Sequence, residues 1–541
     1  MSPLFQFALA MAVSMLVTPV VRRFAPRLGL VDMPDPRKVH TVPIPRVGGW
    51  GIALGTLLPL LLVFRPDPLL QSFFIGCLTL FAFGVWDDAR SIGHWTKFLG
   101  QLLAVGTVVY YGDLWVSRIP FVDGAIPAAL GKPFTVFALI GVVNAINHSD
   151  GLDGLAGGES ILSLTALAIL GYLSDSALIL SISLATIGGL FGFLRYNSHP
   201  AYVFMGDCGS QVLGFTLGFL VVYLTQQANS DVSAALPLLI LGVPVADILS
   251  VLYQRIRGRM NWFKATRNHV HHRLMQLGFD HYETVVIIYS MQAALVVSAV
   301  LARYQSDMTV ALIYAMGVAV VFSALAVAER RGWRVHRASG AGSGLTSAVA
   351  ALKGSQAILD GPILVITAIT PLVMLLSTLW AVRIPADFAA AAALLALVSA
   401  LQLLWPRAVK PVLLRLAIYA TASFPAYLLI SSPGVIPQDV RSVAGALIVV
   451  LAAAIMLYVR FCAKDHFGTT PTDYLIVCGV VALLVLGSVQ VSSRNVVEAV
   501  LLATVLMYAC EIIVGRAGTS RRLLQFSTLG TLLIITLRAA L

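Results

Sequence analysis

Apolar runs long enough to cross about 30 Å of hydrocarbon recur along almost the whole chain, and this one feature removes most folds from consideration. They fall near 3–21, 48–64, 69–86, 97–111, 134–147, 160–174, 176–194, 209–225, 234–253, 284–302 and 308–328. Seven more follow near 361–381, 386–404, 411–431, 442–459, 471–490, 496–514 and 523–540. Only 11% of the 541 residues are charged and 58% are hydrophobic, where a soluble domain carries about 25% charged residues. The expected fold is an all-α polytopic membrane protein, because a helix satisfies its own backbone in lipid. About eleven spans make up the first part and about seven a C-terminal extension. The first run has neither a basic leader nor a small-residue cleavage site and reads as a retained span.

The basic residues set the orientation. Loops after odd-numbered spans hold Arg22, Arg23, Arg27, Arg37, Lys38, Arg46, Arg90, Lys97, Arg195, Arg255, Arg257, Arg259, Lys264, Arg267 and Arg273. The opposite loops hold Arg65, Arg118, Lys132 and Arg303. Fifteen against four puts the first set in the cytoplasm and the N-terminus outside. The net charge of +11 therefore reads as orientation and attraction to anionic headgroups, not as a nucleic-acid surface. The five cysteines are scattered, mostly in apolar runs, and form neither a disulfide framework nor a zinc set.

The unusual polar stretches all lie on that cytoplasmic side. NAINHSDGLDGLAGGES (Asn144–Ser160) packs Asp150, Asp153, Asn144, Asn147 and four glycines between two apolar runs. Carboxylates at membrane depth are costly unless they meet water, a cation or a partner, and glycines let backbone N–H groups approach a ligand. A solvated turn explains the glycines but not the acids and amides. Asp87 and Asp88 precede Lys97 in GVWDDARSIGHWTKFLGQ, and Asp207 lies between glycines in FMGDCGSQ. Five acids suit Mg²⁺, which takes hard oxygen ligands and substrate phosphates. Single members, Asp88 and Asp150 above all, also read as helix caps. His269, His271 and His272 beside Arg273 favour an anionic ligand over zinc, since their spacing does not align three imidazoles on one helical face. Asp247, inside a span, is either a functional acid or a packing contact. No Walker A pattern or nucleophile elbow occurs in the sequence, so ATP-driven transport and serine hydrolysis lose their usual support.

Together PRVGG (Pro45–Gly49), DD with a following lysine, NHSDGLDGLAGG (Asn147–Gly158), MGDCGS (Met205–Ser210) and HVHHRL (His269–Leu274) resemble the polyprenyl-phosphate N-acetylhexosamine-1-phosphate transferases over residues 1 to about 330. The resemblance implies transfer of a sugar-1-phosphate from a UDP-N-acetylhexosamine to undecaprenyl phosphate, with release of UMP. The bacterial UDP-GlcNAc branch is closer than the muramyl-pentapeptide branch. It implies Mg²⁺, with Mn²⁺ as a substitute, on Asp207, and Asp87 or Asp88 serving the attacking lipid phosphate. Lys97 and Asp153 would lie near the uridine or its phosphates and Asn147 near the diphosphate. Asp150, His269, His271, His272 and Arg273 complete the implied substrate site. The implied setting is the inner membrane of a bacterium, at the start of a cell-surface glycan.

The resemblance stops near residue 330. A basic, then Ser/Ala/Gly-rich stretch reads as a linker over 331–360, and 361–541 reads as a separate membrane domain. That half invites a homodimer or glycan-assembly partner. The competing class is a lipid-linked sugar transporter or flippase, which explains the number of spans but not acid motifs gathered in loops on one side.

Overall fold

The computed structural model describes residues 3–34, 42–65, 67–122, 124–259, 268–335, 356–380, 384, 386–405, 411–431, 437–461, 494–515 and 519–540. The chain divides into two compact units, one built on Pro3–His336, the other on Arg337–Thr469 and Leu483–Leu541. Both are helical. The one sheet among the described residues pairs Val31–Asp32 (β1) with Ile44–Pro45 (β2), antiparallel. Ten helices among those residues are long and apolar enough to cross a bilayer.

The first unit runs α1 (Pro3–Leu28), α2 (Gly48–Val63), α3 (Pro68–Arg90), α4 (His94–Gly106), α5 (Ala128–Ser149), α6 (Leu155–Leu173), α7 (Ala177–Asn197) and α8 (Gly206–Tyr223). Then come α9 (Leu236–Ile240), α10 (Gly242–Arg257), α11 (Val270–Gln276), α12 (His281–Leu301) and α13 (Asp307–Arg330). Local sequence starts several of them. Asp67 accepts the Leu70 N–H at 2.8 Å ahead of Pro68 at the head of α3, and Asp280 with Glu283 closes a capping box on α12.

Helix α8 is buried along nearly all its length, and glycines let its neighbours reach it. A Cβ on Gly84 of α3 would sit 2.3 Å from Cys208 Cα, and one on Gly49 of α2 would sit 2.4 Å from the Gly209 nitrogen. Those contacts are backbone against backbone, so no side chain can yield. Backbone bonds then tie the PRVGG stretch to the loop before α8: Phe204 N–H donates to Pro45 O at 2.8 Å, Gly48 N–H to Phe204 O and Gly49 N–H to Met205 O, each at 2.9 Å. PRVGG is thus a frame for the acid loop. Its arginine, Arg46, pairs with Asp32.

The run expected as one span at 234–253 is broken between α9 and α10. Pro244 has no N–H to give the Ile240 carbonyl. Gln292 Nε2 on α12 and Ser163 Oγ on α6 donate to that oxygen instead, at 2.8 and 2.7 Å. Gln292 Oε1 accepts the Val243 N–H at 2.9 Å. One buried amide thus repairs a broken helix, as polar residues do in membranes. Gln292→Leu leaves the Val243 N–H unpaired and the Ile240 carbonyl short of a partner, at a cost of about 1–3 kcal/mol. A lowered thermal midpoint in detergent is the expected result.

The second unit comprises α14 (Gln356–Ser377), α15 (Ala386–Leu404), α16 (Pro411–Ser431), α17 (Gln438–Phe461), α18 (Arg494–Val514) and α19 (Thr519–Ala540). Its buried residues include Ile366, Met374, Ile418, Leu451, Leu506 and Ile513. Arg415 and Glu511 stand 3.5 Å apart within it. The expected span 471–490, most of the 331–360 linker, and Arg37, Lys38, Lys264 and Arg267 lie outside the described residues.

Candidate active site

Four helix ends of the first unit meet at one place. Lys97, in the first turn of α4, puts Nζ 2.6 Å from Asp87 Oδ2 and 2.7 Å from Asp207 Oδ2. Asn147, near the end of α5, donates from Nδ2 to Asp207 Oδ1 at 2.6 Å and to Ser210 Oγ at 2.7 Å. One layer deeper, Asn144 and Gln101 join at 3.0 Å, and Gln101 reaches Gln211 at 3.4 Å. The polar side chains at 87, 97, 147 and 207 are therefore one constellation, although Asn147 and Lys97 lie 60 and 110 residues before Asp207 in the chain.

The adjacent pair on α3 divides. Neighbours on a helix point about 100° apart, so Asp87 faces Lys97 while Asp88 faces α8. Asp88 Oδ1 accepts the Asp207 N–H at 2.9 Å and Oδ2 the Cys208 N–H at 3.1 Å. It caps α8 from another helix, where a carboxylate also suits the helix dipole. Gly206, at φ 75°, carries the chain over it, and a Cβ there would come within 2.6 Å of Asp88 Oδ2. Asp88, expected beside Asp87 at the lipid phosphate, holds the loop that presents Asp207. Asp87 Oδ1 is buried and has no hydrogen-bond partner among the described residues.

The loop after α5 faces the histidine stretch. Asp150 is half-buried, and burial, with the charges of Asp207, Asp88 and Asp153 added, pushes its carboxyl up to about 7. Asp153 Oδ2 is held by His199 Nδ1 at 2.7 Å and the Ala201 N–H at 3.1 Å. His281 Nε2 lies 3.2 Å from the Asp153 carbonyl, with its ring stacked on His199 at 4.0 Å. His199, His281 and Asp153 gather their ligand atoms within 4.8 Å of one another. Rings lying nearly parallel, at 21°, do not converge their lone pairs on one point. His199 and His281 were not among the expected site residues; a histidine in NSHPAY and another in FDHYET carry no periodic signal.

His271 lies against Gly151, where a Cβ would sit 2.5 Å from Nε2 and the ring would have to shift. Burial first, then His272, pushes His271 down to about 3. His269 Nδ1 meets Asp247 Oδ2 at 2.7 Å, and its ring stacks on His148 at 5.4 Å. His272 lies beside His271, ring centroids 4.2 Å apart. Arg273 is turned elsewhere: Nε and Nη2 grip Glu329 of α13 at 2.7 and 2.9 Å, with the guanidinium 5.6 Å over Phe322. Its fork is filled by a carboxylate, so the diphosphate grip expected of it is not the arrangement found.

Residues 70–225 match the model of glycosyl transferase family 4. The chain is similar to the probable undecaprenyl-phosphate N-acetylglucosaminyl 1-phosphate transferase of Bacillus subtilis (strain 168), 33% identical over 300 residues, covering 55% of this chain and 84% of that protein. The chain belongs to this family. Undecaprenyl-phosphate alpha-N-acetylglucosaminyl 1-phosphate transferase of Escherichia coli (strain K12) is 31% identical over 293 residues, covering 52% of this chain and 79% of its own. Decaprenyl-phosphate N-acetylglucosaminephosphotransferase of Mycobacterium tuberculosis (strain ATCC 25618 / H37Rv) is 33% identical over 328 residues, covering 53% of this chain and 80% of its own. The family match takes in the Asp87–Lys97–Asn147–Asp207 cluster entire.

Proposed function

We propose that the first unit transfers N-acetylglucosamine-1-phosphate from UDP-GlcNAc to undecaprenyl phosphate, releasing UMP, at the cytoplasmic face of a bacterial inner membrane. The observation that carries this reading is the convergence of Lys97, Asn147, Asp87 and Asp207 at helix ends, in a chain related to enzymes named for that transfer. The transporter alternative draws no support from these relatives.

The donor set suits Mg²⁺. Asp87 and Asp207 offer carboxylate oxygens around one point of charge, and the orphaned Asp87 Oδ1 is a buried acceptor of the kind a hard cation uses. Bound there, the ion would offset the charge that develops on the phosphoryl oxygens. Asn147 orients Asp207 by donating to Oδ1. Asp88 fixes the loop from below. Lys97 lowers the repulsion between two anionic substrates.

An oxygen of the lipid phosphate attacks the β-phosphorus of the donor, and the bond from that phosphorus to the bridging oxygen breaks. The electron pair leaves on UMP. A phosphate monoester with a second pKa near about 6 is already largely dianionic at neutral pH, so no general base is required and Asp87 acts by position and charge. The route is direct attack, without an aspartyl-phosphate.

A donor panel tests the reading, with UMP release as the readout. UDP-GlcNAc is expected to be used in preference to UDP-MurNAc-pentapeptide; preference for the pentapeptide, or turnover of another N-acetylhexosamine alone, overturns it. The second unit contributes docking or regulation rather than chemistry. A chain ending near Gly340 is accordingly expected to keep its transferase rate when folded; a folded but inactive truncation would make the two units one catalyst.

A further inference from the structure

Asp247 lies on α10 and is buried with its partner His269: their side chains are 8% and 10% exposed. Both its oxygens are engaged. Oδ2 is 2.7 Å from His269 Nδ1, and Oδ1 accepts the Val270 N–H at 2.8 Å. A carboxylate accepts only, so the proton in the first contact belongs to His269 Nδ1. The second contact caps the first turn of α11, and His269 is the residue at which that helix begins.

We propose that Asp247 is a positioning residue for the donor site: it commits the His269 proton to Nδ1, leaves Nε2 as the ring nitrogen that accepts from a UDP-sugar hydroxyl, and fixes where the histidine stretch starts. This rests on the transferase reading and adds to it a residue outside the motif set. The logic is that of a carboxylate that sets the tautomer and orientation of a functional imidazole without touching substrate. An expensive buried acid is accounted for as well, since a packing contact would need neither two oxygens nor a histidine. Around the pair stand the rings of His148, His271 and His272, at 5.4, 5.7 and 6.5 Å from that of His269. Glu159 lies within electrostatic reach of Asp247, and Arg255 within reach of His148.

Asp247→Asn keeps the shape but presents an amide where the carboxylate accepted. The expected result is a loss of about ten- to a hundredfold in kcat/KM for UDP-GlcNAc, with KM for undecaprenyl phosphate unchanged and partial recovery in Asp247→Glu. The double variant Asp247→Asn/His269→Asn should be no worse than His269→Asn alone, because the acid acts through the imidazole. A rate within twofold of wild type, or losses that add in the double variant, overturns the proposal. Should Asp247→Asn fail to fold, ¹⁵N-imidazole NMR of the wild type, with the His269 signal identified by its loss in His269→Asn, decides: Nδ1 protonated supports the proposal and Nδ1 bare overturns it. Wild-type protein that releases no UMP at all would instead count against the transferase reading itself.

Discussion

Asp207→Asn protein, folded and inserted, should turn over at less than about a hundredth of the wild-type rate, a loss of at least about 3 kcal/mol of transition-state stabilisation. The substitution preserves size and leaves the α8 backbone on Asp88, whose two oxygens hold the Asp207 and Cys208 amides. What it removes is a negative charge. Lys97 loses one of its two carboxylates, and Asn147 Nδ2 faces a group that can present its own N–H. A metal held by oxygen charge would also bind more weakly, so the Mg²⁺ concentration for half-maximal residual rate should rise. A thermal midpoint near wild type separates this from misfolding, and near-wild-type turnover would remove Asp207 from the metal site.

Lys97→Met should lose at least a comparable factor. The ammonium lies 2.6 and 2.7 Å from two acids on different helices, and without it Asp87 and Asp207 repel across a partly buried gap. Two anionic substrates would then meet with one positive charge fewer. Arginine is not equivalent, because its planar fork cannot replace a compact ammonium between two carboxylates; Lys97→Arg should remain well below wild type. Turnover of Lys97→Met within tenfold of wild type would show that Lys97 serves structure alone.

Much of this arrangement is legible in the sequence, for definable reasons. Lipid permits few backbone solutions, so apolar run length gave the helices. Acids and glycines at their ends had no cheap alternative explanation. What pattern could not resolve was which way neighbouring side chains face. Asp87 and Asp88 read as a pair, yet a 100° turn of the helix, by geometry, sends one to Lys97 and the other under α8. Arg273 read as a phosphate grip because Glu329, 56 residues later, gives no sign in sequence that it will fill that fork. The break at Leu241 needed Gln292 to be seen, since Pro244 alone marks a kink but not what repairs it. His199 and His281 stayed hidden because only the fold brings them to Asp153.

The most direct test follows the phosphorus. UDP-GlcNAc labelled with ³²P at the β position is incubated with the purified protein, Mg²⁺ and undecaprenyl phosphate, and the lipid and aqueous phases are separated. Transfer of sugar-1-phosphate puts the label in the lipid phase and equimolar UMP in the water. Label that stays in water as UDP while sugar enters the lipid, or no transfer by folded protein, would contradict the account.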